Sequence, residues 1–393
     1  MSPAPGFSIE WDAGPSAQIE VFSPDPQQAG SSYRLKFTPP FRSTLRSPHR
    51  ALQLGPKRLE QFRKGLGDLF AAADARAGAA AGALPNAEII ENTRSYGGQL
   101  LDSIVPQNVQ TELRPKDLYL EIGVDEPLIE LPWELLHDGS DFLCLKHKVA
   151  RFVNVSQETP PPGPPPDPWT KGPLSVLIIS VPIPQQRPGR QFVLLKNAQK
   201  ETETIIGILE PLKDAAQYKV LAGQKATIQA VWQEITKGPR YHIVHFNGHA
   251  YFDSEQPANS SLVLFDDDMD AGQISNFFSK KPPLLSFMNG CETAVAAAGG
   301  ETWRNRYDIF SLARAFLNTG SYLIGNRWKV GDEAAAAFAE TFYSKLVKGQ
   351  PLGEVIRGAR VACKTQMADD DFSWASYIFY GDPRLCFRRE SDV

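Results

Sequence analysis

From Leu174 onward the chain alternates short apolar runs with longer amphipathic ones, and this pattern leaves few folds open. Leu174–Ser180, Tyr218–Leu221, Arg240–Phe246, Leu284–Met288 and Ser321–Asn326 read as strands. Lys196–Leu212, Thr227–Thr236, Ile309–Asn318 and Asp332–Lys348 carry apolar residues at helical spacing. Strand and helix in strict succession imply parallel pairing with right-handed crossovers. The second half is therefore expected to be a doubly wound α/β domain, a mostly parallel sheet flanked by helices.

The first half is less regular. Residues 1–48 alternate in places, as in Ala17–Phe22 and Tyr33–Phe37, and read as short half-buried strands between Pro and Gly turns. A helix is expected from Leu59 to about Ala83, fraying into Ala and Gly, with a second at Gly98–Val105 and a strand at Leu118–Gly123. Pro132 suits the first turn of a short helix that Gly139 ends, with no evident chemistry. Between Thr159 and Pro168 the prolines exclude helix and sheet interior, so a stiff connector is predicted. The division that follows is an N-terminal α/β subdomain 1–158, a Pro-rich linker 159–172 and a main domain 173–393, in keeping with a length of 393 residues.

A formal net charge of −4 gives no general attraction to nucleic acid or to an anionic membrane. No apolar run approaches the roughly 18 residues of a membrane span, and the start has neither a basic nor an apolar signal region. Cys144, Cys291, Cys363 and Cys386 are scattered without a C-x-x-C pair, which argues against a disulfide scaffold or zinc ribbon and fits a reducing cytoplasm. Neither G-x-x-x-x-G-K-[ST] nor G-x-G-x-x-G occurs, so nucleotide hydrolase and dinucleotide enzyme are disfavoured, and no cofactor is expected. The acidic run Asp266–Asp270 lacks the Gly and terminal Glu of a calcium loop and reads as solvated.

The chemistry concentrates between Tyr241 and Cys291. His242, His245 and His249 invite a metal reading, but Tyr, Ile, Val and Phe around them favour a strand. On a strand His242 faces away from His245 and His249, so no metal site is expected. His245 reads as a packed histidine. His249 follows Asn247-Gly248, where a turn would carry it off the strand into solvent, and Cys291 follows Asn289-Gly290 in the same way. Neutral imidazole can take the proton that turns a thiol into a nucleophile. The two lie 42 residues apart, near the roughly 50 by which a caspase histidine precedes its cysteine. The other three cysteines read as small buried hydrophobes.

On seven motifs in order, the chain resembles the CHAT domain family, caspase-like peptidases related to separase. They are Leu131–Gly139, His242–His249, Asn289–Thr293, Leu312–Leu317, Trp328–Asp332, Phe342–Leu346 and Tyr380–Pro383, within about residues 95–388. The resemblance implies a caspase-type fold whose first half is a degenerate pseudo-protease subdomain. It also implies a cysteine endopeptidase with His249 as base and Cys291 as nucleophile, cutting a protein substrate in a bacterial defence or cell-death system. Related chains commonly carry a helical-repeat sensor; no 34-residue repeat occurs here, so activation by a separate protein or complex is expected. Relatives usually have Gly where Ala250 stands; the amides of Ala250 and Cys291 remain candidates for an oxyanion hole, with strain at Ala250 if positive φ is required there. Asn289 replaces the usual S1 acid of basic-specific relatives, and Asp332 could instead receive a P1 Arg or Lys, or cap the helix beginning at Glu333. Val295–Glu301 could order on activation. The competing expectations are a catalytically silent scaffold of the same fold and a thiol acyltransferase using the same pair.

Overall fold

The computed structural model describes residues 6–24, 32–39, 50–52, 54–77, 84–114, 117–125, 128–129, 131–154, 171–187, 189–251, 259–292, 309–328 and 330–389. The proline run of the expected linker, the Ala/Gly-rich stretch 78–83 and the Val295–Glu301 loop lie outside the described residues.

Strands β1 (Phe7–Trp11), β2 (Ser16–Phe22), β3 (Arg34–Thr38) and β4 (Arg50–Ala51) precede helices α1 (Pro56–Ala77), α2 (Asn86–Ile104) and α3 (Gln107–Glu112). Then come β5 (Tyr119–Asp125), α4 (Leu143–Lys146), β6 (Lys148–Asn154) and β7 (Lys171–Gly172). The second half runs β8 (Leu174–Ser180), α5 (Ala198–Leu209), β9 (Ala216–Ala222), α6 (Ile228–Lys237) and β10 (Ile243–Tyr251). It continues through β11 (Ser261–Val263), β12 (Asp268–Asp270), α7 (Ala271–Lys280), β13 (Leu285–Glu292), α8 (Ile309–Leu317), β14 (Tyr322–Asn326) and α9 (Asp332–Leu346). Helices α10 (Leu352–Gln366) and α11 (Ser373–Ser376) and strands β15 (Tyr377–Tyr380) and β16 (Leu385–Arg389) complete it.

One sheet carries both halves. Its order is β9-β8-β10-β13-β14-β15-β6-β5-β2-β3-β4, with β11 and β12 added antiparallel at the end of β10. The pairs β9/β8, β8/β10, β10/β13 and β13/β14 are parallel, and β15 turns antiparallel against β14. Within this sheet the halves join by the parallel contact of β15 with β6, and a second, three-stranded sheet of order β16-β1-β7 pairs the first strand with the last. Strand β8 is buried along its whole length, as a parallel strand covered on both faces should be. Burying residues of period two on opposite faces gives two cores: Val176, Ile178, Ile243 and Phe287 face α5 and α9, whereas Leu177, Val244, Phe246 and Met288 face α6, α7 and α8. The first core continues into the N-terminal half through Ile122, Val149 and Leu101.

A buried charge cluster also bridges the halves. Glu134 accepts from Arg151 Nε at 3.0 Å and pairs with its Nη2, while Arg360 Nη2 lies 3.8 Å from Glu134 Oε1. Arg327 donates to the carbonyls of Ile129 and Leu131, and Arg360 to that of Tyr377. The motif around Glu134 therefore holds charge chemistry that its sequence did not advertise. The acidic run 266–270 is solvent-exposed at Asp266, Asp267 and Asp270, as expected, but it is also structured. Asp266 accepts from Ile228 N–H at the start of α6, Asp268 pairs with Arg187 and Arg190, and Asp270 caps α7 in a box with Gln273.

Candidate active site

His249 and Cys291 sit near the carboxyl ends of two neighbouring parallel strands, β10 and β13, where an open α/β sheet presents its chemistry. The register pairs Asn247 with Asn289, Gly248 with Gly290 and His249 with Cys291. Register partners on adjacent strands stand roughly 4.8 Å apart. The two backbones are thus held level by an eight-residue ladder.

The expected turns at the two Asn-Gly pairs are replaced by continued strand. β10 runs on to Tyr251 and β13 to Glu292, and His249 is fully buried rather than in solvent. The residues explain this. A Cβ at Gly248 would lie 2.8 Å from Phe246 Cζ, and one at Gly290 would lie 3.2 Å from Ala250 Cβ. Both glycines serve close packing on the α7 and α8 side. Both asparagines use their amides across the other face: Asn247 Nδ2 donates to Ala198 O at 3.1 Å and Thr202 Oγ1 at 3.2 Å. Asn289 Nδ2 donates to Glu201 Oε1 at 2.8 Å and Ala335 O at 3.2 Å, and its Oδ1 accepts from Tyr377 Oη at 2.8 Å. Asn289 is buried and internally committed, a supporting position under the site.

The three histidines do not converge. His242 Nδ1 meets Ser175 Oγ at 2.9 Å, and His245 Nε2 meets Glu201 Oε1 at 2.7 Å. Neither ring nitrogen of His249 has a hydrogen-bond partner among the described residues. Its ring lies under Phe192, centroids 5.6 Å apart. Burial lowers its pKa to about 4, only partly offset by the Val193 backbone, so the imidazole is neutral at pH 7. Among the described residues no cluster of His, Cys, Asp or Glu could hold a metal ion.

Ala250 is buried in β10, with register partners Leu262 and Glu292 on its two sides. It is not among the residues with positive φ, so the alanine carries no left-handed strain. Asp332 begins α9 rather than capping it; Gly331 precedes it, and Asp332 Oδ2 accepts from Asn197 N–H at 2.7 Å, ahead of α5. The other cysteines are buried donors to the carbonyls of Glu134, Ala334 and Arg384. Burial pushes the thiols of Cys144 and Cys363 up to about 12 and raises that of Cys386.

Sequence reading passed over Glu201, Phe192 and Val193. Glu201 had a signal: it falls on the apolar stripe of α5 with Ala198, Thr202, Ile205 and Leu209, where an unpaired carboxylate would be costly.

Residues 94–382 match the CHAT domain family. No curated protein sequence matches the chain. Among solved structures, gingipain R, an Arg-specific cysteine proteinase, aligns at 12% identity and a TM-score of 0.47, covering 84% of this chain and 76% of that one. The complex of RgpB pro- and mature domains from Porphyromonas gingivalis aligns at 10% identity and a TM-score of 0.39, covering 85% and 78%. A structural-genomics protein from Geobacter sulfurreducens gives 14% identity and 0.33, covering 54% and 95%. At these distances the likenesses carry no argument about activity. No helix among the described residues is long and apolar enough to cross a membrane.

Proposed function

The chain belongs to the CHAT domain family, and from that premise we propose that it is a cysteine endopeptidase in which Cys291 attacks a peptide carbonyl and His249 relays the proton. The observation that carries this reading is the register of His249 with Cys291 at the carboxyl ends of β10 and β13. His249 takes the thiol proton as the nucleophile adds and gives it to the leaving amine; water then hydrolyses the thioester. The amides of Ala250 and Cys291 are the candidate oxyanion donors. Both belong to the sheet ladder, so this role calls for the strand ends to part.

The arrangement is a resting one. With Phe192 over the ring and, among the described residues, only the Val193 backbone as a polar neighbour, His249 is a weak, secluded base. A separate protein or complex opens the site, in the cytoplasm, as part of a bacterial defence or cell-death response. P1 preference is for Arg or Lys through the carboxylate of Asp332, tested with Arg, Lys and Asp reporters; preference for Asp overturns it. Replacing Cys291 by Ala should abolish cleavage of candidate partner proteins followed by gel, and unchanged cleavage overturns the enzyme reading. One observation favours a second reading, a silent scaffold: the complete burial of His249. A scaffold would bind the same partners and cut none, with or without the activating protein.

A further inference from the structure

Glu201 touches both strands of the site at once. Its Oε1 accepts from His245 Nε2 at 2.7 Å, on the strand that carries His249, and from Asn289 Nδ2 at 2.8 Å, two residues before Cys291. Glu201 is 3% exposed and His245 and Asn289 no more so, which shields the junction from bulk solvent. It sits in the first turn of α5, whose Ala198 and Thr202 also receive Asn247, and whose lead-in residue Asn197 donates to Asp332. The first turn of α5 is therefore clamped onto β10, β13 and the start of α9.

The segment entering that turn is the one that covers His249. Phe192 lies on the imidazole and the Val193 backbone interacts with it, while the Val193 and Leu194 side chains point outward, 66% and 51% exposed. Of its side chains, Phe192 and Leu195 turn inward, 8% and 9% exposed. Its middle is tied to β12 by the ion pairs of Arg187 and Arg190 with Asp268, Leu195 N–H donates to Pro182 O at 2.9 Å, and beyond Leu195 the segment is carried by α5. Among the described residues no charged side chain contributes to the basicity of His249, which burial sets against the Val193 backbone.

We propose that Glu201 is a positioning residue: by accepting from His245 and Asn289 together it locks α5 onto both site strands and so holds residues 192–193 over His249. Its hydrogen bonds go to His245 and Asn289 rather than to His249. Reach matters more than charge, since a carboxamide oxygen can also accept two donors, whereas aspartate is shorter by one methylene, about 1.5 Å. Although the inference concerns the site of the proposed peptidase, its test requires no catalysis.

The experiment is carbethoxylation of the full chain by diethyl pyrocarbonate at pH 7, followed residue by residue by mass spectrometry. His147, buried in the other half, serves as the internal control for folding. E201A and E201D should raise the modification rate of His249 at least tenfold while His147 stays protected, and E201Q should keep both protected. If E201A exposes both histidines it has unfolded, and E201D decides. His249 remaining as protected as His147 in a folded E201A or E201D, with only the melting temperature lowered, would overturn the proposal. A proteolytically inactive protein with this modification pattern would leave the positioning role intact and refute the peptidase alone.

Discussion

Removing the carboxylate of Glu134 should cost far more than a typical surface change. The side chain is 0% exposed and is flanked by the guanidinium groups of Arg151 and Arg360, themselves 0% exposed. Breaking a buried ion pair from one side leaves an uncompensated charge and costs roughly 3–5 kcal/mol. Glu134→Gln keeps the volume and one acceptor oxygen, so about 3 kcal/mol is expected, and Glu134→Ala falls at the upper end. At a urea dependence of about 3 kcal/mol per molar, Glu134→Gln lowers the midpoint by about 1 M in equilibrium unfolding followed by far-UV circular dichroism. Replacing Glu134 and Arg151 together by apolar residues should recover part of the loss, because the desolvation of that pair disappears with the pair. A Glu134→Gln midpoint within about 0.2 M of the parent, roughly 0.5 kcal/mol, would refute the reasoning, since a carboxylate that costs nothing to remove is not compensating buried arginines.

Three further outcomes follow from the same physics. Phe192→Ala should open the ring face of His249 and move its pKa from about 4 toward the ordinary 6.5, read by NMR titration of the labelled imidazole; a value that stays near 4 would show that Phe192 is not the cover. His147 and His249, both lowered to about 4 by burial, bind fewer protons folded than unfolded between pH 4 and 6.5. Stability from these two groups is therefore complete above about pH 6.5 and is lost as pH falls toward 4, by about 3 kcal/mol per histidine. His147→Gln should flatten its share of that slope in urea titrations at stepped pH, and an unchanged slope would exclude it. Iodoacetamide on the native protein should label Cys291 ahead of Cys144, Cys363 and Cys386, whose thiols are buried and raised; labelling at equal rates, read by peptide mass, contradicts the assignment of a single reactive thiol.

The alternation after Leu174 was legible because parallel strands buried on both faces are continuous apolar runs. Leu174–Ser180 became β8 residue for residue, and the helix expected at Lys196–Leu212 contains α5, with the chain passing into a 3-10 turn that holds Pro211. Helices α7 and α10 escaped notice. Asp270 with Gln273 is a capping box hidden inside an acidic run, and α10 alternates buried Leu352, Val355 and Ile356 with charged neighbours after a proline start. The joining of both halves in one sheet rests on the single register pair Tyr380–Arg151, which no local pattern encodes. At the site, the position after Asn-Gly and the family motifs singled out His249 and Cys291, but Asn-Gly is ambiguous between turn and strand. What decided it was tertiary: α5 offered Ala198, Thr202 and Glu201 as partners for the two asparagines, and packing on the far side demanded glycine.

The central claim is that Cys291 and His249 form one catalytic unit. The most direct measurement is the cleavage rate of a candidate partner protein, with its activating protein present, by the parent chain, Cys291→Ala, His249→Ala and the double variant. The account predicts that each single change lowers the rate by at least a thousandfold and that the double variant is no slower than either, because groups acting as a unit are not additive. Cleavage by Cys291→Ala at the parent rate, or losses that multiply in the double variant, would contradict it.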